Sequence, residues 1–267
     1  MLKGRTALIT GSVTGIGLKT AELFASRGCN IALNGFAPKD DIERQRGGLE
    51  HRHGIRAHYF GADLADPKQI EDMIGEIVDV FGSLHILVNN AAVRYDGPVE
   101  TYTAEKWNHS LAVNLSGPFH AIRLSLPHMR SLGWGRIVNI SSVLGLIGAT
   151  NRIDYVTVKT ALIGMTRAVA METLGSGITC NAICPGFVHT GRTEARIVSL
   201  VENREMTREQ AMRTLLDNHP GSGRFVETIP DVIAFLCSDA ARDMTGITLP
   251  VDDGYSAGAT SPASRRG

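Results

Sequence analysis

The chain has 267 residues, 43% of them hydrophobic and 20% charged, and its 27 basic residues balance 27 acidic ones. This is an ordinary soluble composition, long enough for one large α/β domain. It offers no basic surplus for nucleic acid or an anionic membrane, and no apolar run nears the roughly 20 residues of a bilayer span, so neither is expected as a partner.

In chain order, apolar runs alternate with helical patterns from the start. Residues 6–10 read as a strand, followed by a glycine-rich turn and an amphipathic helix over 16–27. A second strand spans 30–33, a charged helix 39–53 and a third strand 56–60. Pro67 opens a further helix, a position where its missing N–H costs nothing. Strands follow at 85–88, 136–140 and 178–183, and a seventh at 248–251. Continuous apolar strands separated by helices predict a parallel sheet covered on both faces. The expected architecture is a single α/β, doubly wound Rossmann-type domain over residues 1–256, with about seven parallel strands. Residues 186–223 are polar and helical in pattern, and read as a small helical lid before the last helix and strand. Residues 257–267 are small, polar and basic, and read as a disordered tail.

The four cysteines, Cys29, Cys180, Cys184 and Cys237, form no CxxC pair. Cys180 and Cys184 share a strand face but lie roughly 13 Å apart at the strand rise, too far for a disulfide. Free buried thiols, and a cytoplasmic location, are the expectation. The first ten residues run into a strand with no signal-peptide pattern. No metal site is expected.

Directly after the first strand comes Thr10-Gly11-Ser12-Val13-Thr14-Gly15-Ile16-Gly17. Glycines here allow a tight turn and let a pyrophosphate reach the backbone. The helix that follows offers free amide hydrogens and a positive dipole end. Strand before and helix after are the context that makes such a loop a dinucleotide site.

Tyr155 and Lys159 are four residues apart on a helical pattern, so they share a face. An ammonium beside a phenol favours the phenolate, which readies the tyrosine to exchange a proton with an alcohol or ketone oxygen. Ser142, thirteen residues upstream, is placed to hold that same oxygen. Only six residues are lysine and none follows Lys159, which sets it apart from casual surface lysines.

Together, Thr10 to Gly17, Asp63-Leu64, Asn89-Asn90-Ala91-Ala92, Asn114, Ser142, Tyr155, Lys159 and Pro185-Gly186 resemble the short-chain dehydrogenase/reductase family over residues 3–256. The resemblance implies a nicotinamide-dependent enzyme acting on CH–OH groups, often a homotetramer. It implies cofactor contacts from Gly11, Thr14, Gly15, Ile16, Gly17, Phe36, Asp63, Leu64 and Asn90, and from Pro185, Gly186, Val188 and Thr190. It casts Ser142, Tyr155 and Lys159 as catalytic, with Asn114 holding a water that links Lys159 to solvent. The chain departs from the family at Ala92 and Asp253, where glycine is usual.

After the second strand the chain reads Asn34-Gly35-Phe36, with no acid for a ribose 2′-hydroxyl. The glycine loop holds no Arg or Lys for a 2′-phosphate either, and NAD is expected rather than NADP. Within the family the scaffold looks most like bacterial D-3-hydroxybutyrate dehydrogenases, through Gly133-Trp134-Gly135-Arg136 and Asn181-Ala182-Ile183-Cys184-Pro185-Gly186 among other stretches. The pocket positions differ. Where that subgroup carries Gln, His, Lys and a lid Gln, this chain has Arg94, Leu144, Arg152 and Arg196. Arginine pairs with carboxylate or phosphate through two parallel bonds, so a small anionic hydroxy acid is expected. A 3-oxoacyl-carrier-protein reductase or a sugar/polyol dehydrogenase is the alternative, and a non-catalytic nucleotide-binding homologue a remote one.

Overall fold

The structure, a computed structural model, describes residues 2–204, 206–217 and 227–258, with the side chains of Arg192, Arg204 and Asp217 outside the description. Seven parallel strands form one sheet in the order β3-β2-β1-β4-β5-β6-β7. They are β1 (Thr6–Ile9), β2 (Asn30–Asn34), β3 (Ala57–Phe60), β4 (Ile86–Asn89), β5 (Gly135–Ile140), β6 (Ile178–Pro185) and β7 (Thr248–Val251). The helices are α1 (Gly15–Ser26), α2 (Lys39–His53), α3 (Pro67–Phe81), α4 (Ala104–Leu111), α5 (Gly117–Leu132), α6 (Ile153–Glu172), α7 (Gly191–Arg204), α8 (Arg208–Asp217) and α9 (Ile229–Leu236).

The strand side chains alternate between two cores, as a sheet covered on both faces requires. Ile9 of β1, Val88 of β4 and Val138 of β5 face one core with Phe24 of α1, Leu49 of α2 and Ile233 of α9. Leu8, Leu87 and Ile137 from the same strands face the other, with Ile74 of α3, Ile122 of α5 and Ala170 of α6. Phe24 is wholly buried; truncating it to alanine would cost about 3–5 kcal/mol of stability.

Most expected elements are present, with shifted ends. β6 runs two residues past its apolar stretch, to Pro185, which lies beside Val251 of β7. The residues that donate to the β7 side from β6 and just past it are alternate ones, among them Ala182 to the Ile247 carbonyl and Gly186 to the Val251 carbonyl, each at 3.0 Å, so the missing N–H of Pro185 removes no bond to β7. The strand order reverses direction between β1 and β4, and the crevice beyond their carboxyl ends is where ligands bind in such sheets. All four cysteines are buried and free.

The helical excursion after β6 is α7 and α8, which pack on each other through Ile197, Ala211 and Leu215. Glu194 of α7 pairs with Arg208 of α8 and with His189, the latter at 3.1 Å. Residues 205 and 218–223 of the expected lid, and 259–267 of the expected tail, lie outside the described residues.

Candidate active site

One cleft of about 1040 Å³ runs along the carboxyl edge of the sheet. That is at the top of the range for sites holding drug-sized ligands. The loops after β1, β2, β3 and β4 line one end; β5, the start of α6 and the segment after β6 line the other.

At the first end, Gly11 and Gly15 have positive φ, +64° and +56°, which side-chain-bearing residues rarely adopt. A Cβ on Gly11 would come within 2.9 Å of the Ala91 backbone. Gly17 does not line the cleft. A Cβ there would strike the Gly11 carbonyl and come within 2.7 Å of Asn90 Nδ2, so this glycine serves the packing of the loop on α1. Asn90 binds the loop from the other side: Nδ2 donates to the carbonyl oxygens of Thr10, at 2.8 Å, and Gly11, at 3.2 Å. Thr10 Oγ1 accepts from the N–H groups of Asn90 and Ala91. The loops after β1 and β4 are thus fastened together at the switch point.

Asn34 is buried, and its Nδ2 donates to the carbonyl oxygens of Phe60 and Ala62, fixing the approach to Asp63 and Leu64. Phe36 projects from the β2 end and is 71% exposed, an uncovered apolar face at the rim. These glycines, amides and apolar surfaces fit a dinucleotide: the space that absent Cβ atoms leave is where a pyrophosphate meets backbone amides.

At the second end, Ser142 follows β5 and caps a short 3₁₀ turn, Val143–Gly145, its Oγ accepting from the Leu144 N–H at 3.1 Å. Gly145 lets that turn lie against α6; a Cβ there would meet Ser141 Oγ at 2.6 Å and the Lys159 carbonyl at 2.8 Å. Tyr155 and Lys159 stand one turn apart on α6, with Lys159 Nζ 5.5 Å from the centre of the Tyr155 ring. Lys159 is buried and donates to the Ile140 carbonyl at 2.7 Å. Burial disfavours its ammonium form and lowers its pKa to about 8.

Asn114 lies in a π turn, Ala112–Ser116, that joins α4 to α5. Such a widened turn inserts one extra residue into a helix and is frequent at functional sites. The Asn114 Oδ1 accepts from Val93 N–H, while its Nδ2 donates to the Val93 carbonyl and Ser110 Oγ, each at 2.9 Å. Asn114 is buried and absent from the cleft wall. Its amide is taken up in holding the segment after β4 that leads to Arg94.

Pro185, Gly186, Val188 and Thr190 line the cleft after β6. Thr193 Oγ1 donates to the Val188 carbonyl at 2.8 Å, tying this segment to the first turn of α7. Gly186 packs on Asp252, whose Cα would lie 2.7 Å from an added Cβ. Asp253, where a glycine was noted as usual, has φ of +55°, in the left-handed region that glycine occupies without cost.

Arg94, Leu144, Arg152 and Arg196 all line the substrate end. The Arg94 guanidinium sits 6.0 Å from the centre of the Tyr155 ring. Arg152 is largely covered and forms an ion pair with Asp96. Its pKa is lowered, first by burial and then by the charges of Arg94 and Arg196. His109 of α4, Thr150 and Tyr255 also reach the cleft. Tyr95 Oη and His109 Nδ1 are hydrogen-bonded at 2.7 Å. No sequence signal singled these out, since none of them belongs to a motif of fixed spacing. Among the described residues, no group of three His, Cys, Asp or Glu side chains clusters as a metal site, and no helix is long and apolar enough to cross a membrane.

Comparison with known proteins agrees with this geometry. A family described as enoyl-(acyl carrier protein) reductase matches residues 11–256. D-beta-hydroxybutyrate dehydrogenase of Cupriavidus necator is 38% identical over 257 residues, spanning 96% of this chain and 99% of that protein. A 3-oxoacyl-[acyl-carrier-protein] reductase of Staphylococcus aureus is 34% identical over 250 residues, 94% of this chain and 97% of its own. Among solved structures, L-sorbose reductase from Gluconobacter frateurii, in complex with NADPH and L-sorbose, superposes with a TM-score of 0.92 at 27% identity, covering 96% of this chain and 97% of that one. With a glycine loop at the switch point, a Tyr-Lys pair one helical turn apart and relatives along almost its whole length, the chain is an oxidoreductase of the short-chain dehydrogenase/reductase family.

Proposed function

We propose that the protein is an NAD-linked dehydrogenase that interconverts a small anionic hydroxy acid, of the 3-hydroxybutyrate type, and the corresponding oxo acid. The observation that carries this reading is that Arg94 and Arg152 share the cleft wall with Ser142 and Tyr155. A carboxylate held by either arginine brings a nearby carbinol toward the phenol. The relatives named D-beta-hydroxybutyrate dehydrogenase support it, while Leu144 in place of a polar residue argues for a substrate that differs from hydroxybutyrate itself.

The bound nicotinamide supplies the hydride acceptor or donor. In the oxidative direction Tyr155 takes the hydroxyl proton as the C–H bond breaks, and returns it in reduction. Lys159, one turn along α6, favours the phenolate by its charge and reaches the cofactor ribose. Ser142 Oγ donates to the substrate oxygen, where negative charge develops. With its amide bound to Val93 and Ser110, Asn114 offers a water its main-chain carbonyl or the remaining lone pair of Oδ1. Such a water would pass protons between Lys159 and solvent. Val188 and Thr190 would hold the carboxamide, Asp63 and Leu64 the adenine, and Phe36 would cover the adenosine.

NAD is favoured over NADP because, among the described residues, the adenosine end of the cleft wall carries no Arg or Lys. A 2′-phosphate would find no counter-charge there. The α7–α8 pair is the lid over the substrate end, and a homotetramer is the expected assembly. The test is initial rates with 3-hydroxybutyrate, related hydroxy acids, neutral polyols and an acyl-carrier thioester, each with both cofactors. Turnover of hydroxy acids with NAD is the expected result. Turnover confined to polyols, or to the thioester with NADPH, would overturn the reading.

A further inference from the structure

The charges at the substrate end of the cleft do not balance. Three guanidinium groups line it, from Arg94 after β4, Arg152 before α6 and Arg196 on α7. Among the described residues, the acidic one on the wall is Asp63, at the opposite, adenine end. Arg152 has its counter-ion: Asp96, 62% exposed, reaches it from outside the cleft, and the side chain of Arg152 is only 17% exposed. Buried Asp154 also acts on Arg152, from the first turn of α6. Arg94 and Arg196 have no carboxylate partner among the described residues. The lowered pKa of Arg152 reports that both stand close enough to repel it.

Arg94 is half-buried and Arg196 is exposed, so both keep water and both can take an anionic group that enters the cleft from solvent. A carboxylate that takes a two-point bond from one guanidinium has fewer lone pairs left for a second, and a second acid group gives each guanidinium a two-point bond of its own. Two acid groups separated by the carbinol segment satisfy both. Leu144, from the 3₁₀ turn after β5, gives the middle of such a molecule an apolar contact. Resting on the hydroxy-acid reading above, we propose that the substrate carries a second anionic group, so that Arg94 and Arg196 hold opposite ends of a dianion. The shared chemistry is a small hydroxy acid bearing a second carboxylate or a phosphomonoester.

The experiment compares kcat/KM with NAD for four compounds: 3-hydroxybutyrate, 3-hydroxyglutarate, the monomethyl ester of 3-hydroxyglutarate, and 3-hydroxy-4-phosphobutyrate. The ester keeps the size of the diacid and removes one charge. Either compound with two acid groups should exceed both monoanions by roughly tenfold or more, the worth of one charge-assisted pair, the phosphomonoester carrying close to two charges on its second group. Whichever dianion is better assigns the second group. The advantage should lie in KM and shrink as salt is raised to about 0.5 M. Arg94→Gln and Arg196→Gln should each reduce the dianion-to-monoanion ratio toward one. As a readout independent of turnover, glutarate should raise the melting temperature of the enzyme–NADH complex more than butyrate does. Equal kcat/KM for diacid and ester, or a ratio that neither substitution changes, would overturn the proposal. Turnover of 3-hydroxybutyrate without a dianion preference would overturn it and leave the hydroxy-acid reading standing. Turnover of neutral polyols alone would remove both.

Discussion

The loops after β1 and β4 meet the cofactor end of the cleft with glycines and main-chain groups, locked by Thr10 and Asn90. The substrate end is lined by long side chains that come from three separate places, one of them on a helix pair with its own small core. The first end holds what every member of such a fold must hold, and does so with atoms that substitution can hardly change. The second can be re-shaped residue by residue without disturbing the sheet. Constancy of cofactor and variety of substrate follow from that division of material.

The largest expected effect breaks the comparison at its boundary. Tyr155→Phe removes the hydroxyl assigned as proton acceptor and keeps the ring. Turnover should fall by roughly 10³-fold, within the usual range for general acid–base groups, while NADH fluorescence titration gives an unchanged Kd. Retained turnover would sink the role given to Tyr155.

Gly17→Ala tests the cofactor end. Its Cβ would drive into the Gly11 carbonyl and Asn90 Nδ2, neither of which can yield without opening the loop. NADH binding should weaken at least roughly tenfold, since the amides that meet the pyrophosphate shift together. Isothermal titration measures this, and circular dichroism separates it from global unfolding. Unchanged affinity would mean the loop is more pliable than its contacts imply.

A third effect comes from Lys159, whose pKa is lowered to about 8 by burial. An unfolded lysine titrates near 10.4. Between these values the unfolded chain binds the extra proton, so stability rises with pH across that window. The gain approaches about 3 kcal/mol at its upper end. Urea titrations of the cofactor-free protein and of Lys159→Met, from pH 7 to 10.5, should show the difference between them changing over that interval. A flat difference would contradict a Lys159 whose ammonium form is disfavoured by burial.

The smallest effect sharpens the substrate end. Arg208→Ala cuts the bond from α8 to Glu194 of α7. Exposed pairs are weak, so KM should rise only a few-fold, with NADH affinity unchanged. A change in NADH affinity instead would mean that α7 and α8 belong to the cofactor end.

The seven strands were legible because both faces of the sheet are covered, which makes each strand a continuous apolar run. The glycine loop and the Tyr155–Lys159 pair were legible because their chemistry depends on short spacings within one element. His109, Thr150 and Tyr255 were not legible, since only the folded sheet brings α4, the stretch before α6 and the segment after β7 to one opening. The pairing of Asp96 with Arg152 was hidden for the same reason. The π turn was invisible too: its sequence, Ala-Val-Asn-Leu-Ser, carries no proline or glycine to mark a break. Its presence explains why Asn114 could be named from the sequence while the contacts of its amide could not.

The π turn has a consequence for how the substrate end can change. An α-helix advances about 100° per residue. Deleting one residue from Ala112–Ser116 would restore a plain helix and swing Asn114 away from Val93 by about that angle. The Asn114 amide acts on Val93 as a neighbouring strand would, meeting both its N–H and its carbonyl. Arg94 is the next residue. A one-residue deletion there would therefore re-aim the Arg94 guanidinium and turn Val113, which lines the cleft, in the same step, so the phase of this helix sets charge and shape of the pocket together.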